Sequence, residues 1–411
     1  MHAKFLAGLA VAGGLLQAGE PQLLNDVYLA RLRVEASRGH PSAAAAQLRA
    51  AAAGQDVRAV RLWDDPMVGL GLMAAQKSMR ADQGDIIVGV EQALPKPGMY
   101  DAKRRQAEAI HRAEEASFSA AALTVSASAA RDAIELALAD ESITLQQTQV
   151  RWLAAMTENA RQRAADPMGS SVDALRMETE LAKETELLGA ARRSRDGFAQ
   201  KLNLTLGRRL DSAWPALRLP ATPPPVPLAP AEIARIAHAN PKVRAMREMA
   251  GAADQETRIA ERERLPGVSL GIDANVYSGG EWRSTTVGVK MNLPWFNERP
   301  YQASIAAARS RQLAASREVE TLRKEVATEV LTSATEAANA AAQARAYGGE
   351  IHAKALQASQ SIEAAWLSSK APLTDLLDAN RQLFSIRLEQ RRFIAMQLAA
   401  LEQLHSLVPN R

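Results

Sequence analysis

A tandem repeat limits the folds open to this chain more than any other feature. His40-Pro41 opens a helical segment that ends at Asp65-Pro66, and Asn240-Pro241 opens another that ends at Leu265-Pro266. Pro41 and Pro66 are separated by the same distance in sequence as Pro241 and Pro266. Met67-Val68-Gly69-Leu70-Gly71-Leu72 follows the first segment, and Gly267-Val268-Ser269-Leu270-Gly271-Ile272 follows the second. Val88-Gly89-Val90 with Leu94-Pro95 answers Val287-Gly288-Val289 with Leu293-Pro294. Val172-Asp173-Ala174-Leu175 answers Thr374-Asp375-Leu376-Leu377. Five anchors in order at nearly constant offset imply a duplicated unit, and fixed-period self-similarity of this kind organises the rest of the reading.

Each copy reads as a helix, two short strands, one very long helix, a break and a second long helix. Copy one covers 19–206, with strands at about 67–76 and 85–94 and helices at 101–165 and 172–206. Copy two covers 231–411, with strands at about 267–277 and 284–293 and helices at 301–369 and 373–407. The connector 207–230 includes Trp214–Pro230, in which seven of the 17 residues are proline. That composition reads as a stiff, extended segment without a core of its own.

The long helices exceed what a globule needs. Residues 101–165 hold neither Gly nor Pro, and 65 residues at 1.5 Å each give roughly 98 Å of helix. The counterpart in copy two is interrupted only by Gly348-Gly349. Ile134, Leu138 and Leu145 form one apolar row, Leu136 and Ile143 a second, and many other stripe positions are Ala or Ser. Small seams favour close antiparallel packing with a wet outer face.

The strand segments alternate. Val268, Leu270, Ile272, Ala274 and Val276 are separated by Ser269, Gly271, Asp273 and Asn275; Val287, Val289, Met291 and Leu293 are separated by Gly288, Lys290 and Asn292. Period two places each set on one face of a sheet. About ten residues per strand is the length of a tilted transmembrane strand. Trp63, Trp282, Trp295, Tyr100, Tyr277 and Tyr301 fall at or beyond strand ends, where interfacial aromatic belts lie. A half-buried hairpin on a soluble sheet would alternate in the same way, so both readings stand at this point. Four strands cannot close a barrel; three chains would supply twelve.

Residues 1–18 carry Lys4, an apolar run from Phe5 to Leu16 and the small Ala18. They read as a secretory signal, with cleavage near Ala18-Gly19. The run is too short to span a bilayer as a helix, and no later stretch reaches 18 apolar residues. The chain has no Cys, which excludes disulfide scaffolds, Cys-based zinc sites and Cys nucleophiles. Its six His fall at no metal-ligand spacing; His40 and His238 read as helix-end or interface residues. Met67, Met73 and Met79 are evenly spaced, read as core or lipid-facing packing, and no metal site or cofactor is assigned. The pI of about 9.3 arises from basic residues interleaved with acids along helices, a solvated face and no nucleic-acid surface. No phosphate loop or His-centred triad points to an enzyme.

A repeated helix, β-hairpin and long helical hairpin behind a signal peptide resembles the TolC family of outer-membrane efflux proteins. The resemblance covers Pro41–Leu206 and Glu232–Leu407. It rests on Ala239-Asn240-Pro241, Leu265-Pro266 with its following strand, Leu293-Pro294-Trp295-Phe296, and Leu373-Thr374-Asp375-Leu376-Leu377-Asp378-Ala379. Leu293-Pro294-Trp295-Phe296, with Leu94-Pro95-Lys96-Pro97, looks most like the heavy-metal-efflux (CzcC-like) branch. The resemblance implies a mainly α fold with a β-barrel part: a homotrimer with a twelve-stranded outer-membrane barrel and a periplasmic helical tunnel. It further implies a periplasmic adaptor (membrane fusion protein), an inner-membrane RND pump, contact with outer-membrane lipid, and a passive duct with no catalytic residues.

The resemblance also implies where function sits. The turns between the long helices would be the tips that close the tunnel and meet the adaptor: Pro167, Gly169, Ser170 and Ser171 in copy one, and Ser369, Lys370 and Pro372 in copy two. The family commonly carries Gly six residues before the Asp of the second helix, where this chain has Pro167 and Ser369. Asp375 and Asp378, spaced i, i+3, would share a face and ring the pore constriction, with Asp173 as the copy-one counterpart. Taken alone, Asp375 reads as a first-turn carboxylate that offsets the helix dipole, and Asp173 as a capping residue. Drug efflux, type I protein secretion or a soluble coiled-coil scaffold remain as alternatives.

Overall fold

The computed structural model describes residues 21–73, 85–165, 171–224, 230–277 and 279–408. The signal segment 1–18, Met79 and the tip residues Pro167, Gly169 and Ser170 lie outside the described residues. In copy one, β1 (Gln22–Leu23) and α1 (Asp26–Gly39) precede α2 (Pro41–Ala59), the hairpin strands β2 (Met67–Met73) and β3 (Asp85–Ala93), and the long helices α3 (Met99–Ala164) and α4 (Ser171–Leu206). The connector carries β4 (Leu217–Arg218). Copy two follows with α5 (Pro230–Ala239), α6 (Pro241–Glu263), strands β5 (Val268–Tyr277) and β6 (Trp282–Met291), and a 3-10 turn at Pro294–Asn297. Then come α7 (Glu298–Ala346), α8 (His352–Leu367) and α9 (Leu373–Leu407).

The chain divides into two compact units, and each draws on both copies. One comprises residues 1–35, 128–226 and 336–400; the other comprises 36–127, 227–335 and 401–411. We call them the tip unit and the sheet unit.

In the sheet unit the paired helix starts recur as the sequence suggests, for a local reason. Proline at N1 lacks only a donor that the first turn leaves unpaired. The residue before it caps: the Ser42 amide donates to the His40 ring, and the Lys242 amide donates to Asn240 Oδ1 at 2.9 Å. Asn240 is buried, and its Nδ2 donates to the Leu407 carbonyl at 3.0 Å. It sits amid a core of Ile236, Val243, Val326, Val330, Leu404 and Leu407. The α2 helix packs on alanines alone, Ala43, Ala46, Ala50 and Ala53, and it ends at Ala59, well short of the expected Asp65.

The four strands form one antiparallel sheet in the order β2-β3-β5-β6. Its central pairing, β3 with β5, joins the two copies. Val68 lies opposite Val90, Val90 opposite Ile272, and Ile272 opposite Val287; Leu70, Val88 and Ala274 form the next row. Directly opposed residues share a face, so all four strands give one apolar face. It is open: Val68 is 74%, Leu72 80% and Val287 71% exposed. The other face is small and polar, with Gly69, Gly89, Asp273 and Thr286 in one row. There Ser269 Oγ donates to Glu91 at 2.6 Å, and Lys290 pairs with the same carboxylate. A register shift at Asn275/Val276 brings Trp282 opposite Val276. The last strand therefore runs Trp282–Met291, slightly ahead of the expected 284–293. Among the described residues no helix is long and apolar enough to cross a membrane.

In the tip unit the connector departs from expectation. Trp214, Leu217 and Leu219 are buried, and β4 pairs in parallel with β1. Trp214 Nε1 donates to Asn203 Oδ1 at 2.7 Å, while Asn203 Nδ2 donates to the carbonyls of Leu210 and Ser212. The Leu217 amide donates to Asp140, which also pairs with Arg195 at 2.8 Å. Proline-rich backbone offers few donors of its own, so side chains of α3 and α4 fasten it instead. The expected 301–369 helix is also interrupted more deeply than a paired glycine requires. Tyr347–Ile351 forms a π-type segment in which Gly349 leaves helical geometry, at φ −98° and ψ −115°.

Candidate functional site at the helical tips

The ends of α3 and α8 and the starts of α4 and α9 meet on one apolar cluster: Leu153, Met156, Ala160, Ala174, Met177, Trp366, Leu373 and Leu376. Trp366 is its largest member. It carries a polar clasp from the opposite copy: the Arg163 guanidinium lies 4.5 Å from the Trp366 ring centroid. Its Nη2 also donates to the carbonyls of Trp366, at 2.8 Å, and Leu367. A cation at these last carbonyls satisfies acceptors left unpaired by the helix end and offsets its dipole. Trp152 Nε1 donates to Glu363 at 3.0 Å nearby.

The α8 helix ends in a Schellman arrangement. The Ser369 amide donates to Trp366 O at 2.9 Å and the Lys370 amide to Ala365 O at 2.8 Å. Ser369 accordingly holds φ of +61°, the left-handed conformation usually given to Gly. Ser369, Lys370 and Pro372 are all exposed, as is Ser171 at the start of α4.

The structure brings the acidic positions to this cluster. Asp173 is half-buried in the first turn of α4, beside Ala174; Asp375 is exposed in the first turn of α9, between Leu373 and Leu376. Asp378 is exposed one turn further on, 3.5 Å from Arg381. Arg381 also reaches Glu180 of α4 at 2.6 Å. Its hydrogen bond to Glu180 raises the Arg381 pKa above its ordinary value. Burial, the largest effect on the neighbouring Glu184, pushes its carboxyl up. Sequence patterning singles out the aspartates and misses the Arg381–Glu180 crosslink and the Arg163–Trp366 clasp. The one available signal was Arg163 in the last turn of its helix, where basic residues are favoured. Its partner, in the other copy, is invisible to local pattern.

Comparison with known proteins places this geometry. The family model "Outer membrane efflux protein" matches residues 233–409. No curated relative matches the sequence. Among solved structures, the outer-membrane channel OprN superposes with a TM-score of 0.82 at 18% identity, covering 94% of this chain and 91% of that one. CusC superposes with a TM-score of 0.81 at 16% identity, covering 96% of each chain. The outer membrane protein VceC of Vibrio cholerae gives 0.78 at 18%, covering 93% of this chain and 96% of that one. The fold is that of the TolC-like outer-membrane channels: long helical hairpins in two copies joined through one sheet. Among the described residues the single chain presents an open four-stranded sheet that does not close into a barrel.

Proposed function

We propose that this chain is the outer-membrane duct of a tripartite efflux system, exporting heavy-metal cations from an inner-membrane RND pump. The sheet carries the reading. Its apolar face is exposed across all four strands, and β2 and β6 are its two edges. Unpaired edges are a liability that closure removes, and lipid is the solvent that accepts an apolar face with backbone paired internally. Three copies joined β6 to β2 give twelve strands with the Gly- and Ser-rich face lining the lumen. A soluble scaffold would leave Val68, Leu70, Leu72, Val287 and Val289 in water. The likeness of the chain to outer-membrane channels supports the same location.

In the tip unit, Ser171, Ser369, Lys370 and Pro372, with Pro167, Gly169 and Ser170, form the tips that meet the periplasmic adaptor. Asp375 and Asp378 of three copies place six carboxylates at the constriction, with Asp173 beside them. Such a ring would favour cations over anions, and with Leu293-Pro294-Trp295-Phe296 it supports the metal-cation reading. The pairing of Asp378 with Arg381 makes Asp375 the stronger contributor.

Two measurements test this. Heat-modifiable trimers in the outer-membrane fraction are expected; a soluble monomer would remove the duct reading. In planar bilayers, Asp375→Asn with Asp378→Asn should raise single-channel conductance and cut cation-over-anion permeability by roughly half or more. Unchanged conductance and selectivity would remove the ring while leaving the duct.

A further inference from the structure

A cleft of about 390 Å³ opens in the tip unit between α3, α8 and α9. Leu356, Leu367, Leu383 and Trp152 form its apolar walls. Its polar lining includes two buried residues. Ser359 is 4% exposed. Asn380, 8% exposed, accepts from Gln149 Nε2 at 2.5 Å, and its own amide nitrogen donates to no described group.

Arg387 closes one side. It is half-buried, and among the described residues no carboxylate lies within ion-pair distance of it. It donates from Nε to His352 Nε2 at 3.2 Å. That nitrogen must be unprotonated to accept. Burial, then the Arg387 charge, holds the His352 pKa below its ordinary value, which favours the neutral, accepting ring. A half-buried guanidinium without a counter-charge is costly, and its free fork matches a planar carboxylate. The single acid on the lining, Glu363, is engaged by Trp152 Nε1 at 3.0 Å.

We propose that this cleft is a binding site for a small aromatic or aliphatic carboxylate: the anion on Arg387, with Ser359 and Asn380 donating, and the apolar body against Trp152 and the leucines. The volume lies in the range of small-molecule sites. Inorganic phosphate offers no apolar body, and a neutral amide offers no charge for Arg387.

The test uses the purified full chain in detergent micelles and fluorine NMR of 4-fluorobenzoate, with 4-fluorobenzamide as the neutral control. Saturable binding of the benzoate is expected, with the benzamide and inorganic phosphate each at least about tenfold weaker. Arg387→Gln should lose about tenfold in affinity, and Arg387→Lys should recover part of it. Ser359→Ala should lose severalfold, and Glu363→Gln, which removes a like charge, should tighten binding. Should Arg387→Gln not fold, the last two variants carry the test. Equal binding of benzoate and benzamide, or wild-type affinity in Arg387→Gln, would overturn the site. Neither outcome bears on trimerisation or conductance, so the duct reading stands or falls separately.

Discussion

The two long helices that answer each other across the repeat are built differently. In copy one, α3 runs 66 residues without interruption. In copy two, α7 stops after 49 residues, a π-type turn of five follows, and α8 resumes for 16. The register that sets Asp173 against Asp375 also sets Gln146-Gln147 of α3 against Gly348-Gly349. Glutamine propagates a helix at little cost, whereas each Gly costs about 1 kcal/mol relative to Ala. The α8 helix closes on Ser369 at φ +61°. Copy two thus places glycine inside its long helix and a side chain at the left-handed turn that ends it.

Three substitutions probe that contrast. The largest effect is expected from Trp366→Ala, which empties the cluster where the copies meet and removes the platform under Arg163. Removing a fully buried Trp costs about 3–5 kcal/mol, and hydrogen exchange should accelerate in α8 and in the last turns of α3 together. Exchange confined to α8 would show that the clasp does not couple the copies. A smaller effect, about 1 kcal/mol of stabilisation, is expected from Gly349→Ala. A Cβ there meets nothing within 4 Å, so the segment is free to turn regularly helical and exchange at 347–351 should slow. Faster exchange would mean that the break is imposed by packing, with Tyr347 held against Phe393 at 5.0 Å. The smallest is Ser369→Gly, expected to stabilise by about 0.5–1 kcal/mol because only the left-handed penalty is relieved. A loss of stability on thermal unfolding would show that the serine side chain contributes more than its backbone strain costs.

Much of the fold could be read from residues whose effect is local. Pro at N1 after a capping His or Asn, an alternating strand, and a Gly-free, Pro-free run each specify an element without reference to its neighbours. The acidic first turns were visible for the same reason. What escaped the reading depends on residues distant in sequence. The connector 207–230 looked coreless because its prolines carry no donors, yet Trp214, Leu217 and Leu219 are buried and held by Asn203, Asp140 and Glu141 of the long helices. Arg381–Glu180 and Arg163–Trp366 each join one copy to the other, and no periodicity announces them.

The duplication and the strand faces were therefore matters of sequence, because each follows from backbone propensity and the spacing of apolar side chains. Tertiary packing settled that each copy completes its sheet and its tip cluster only with the other. It paired β3 with β5, brought helix ends of both copies into one cluster, and left Arg387 facing a cleft. Those outcomes rest on which surfaces meet, and a surface has no partner until the chain has folded.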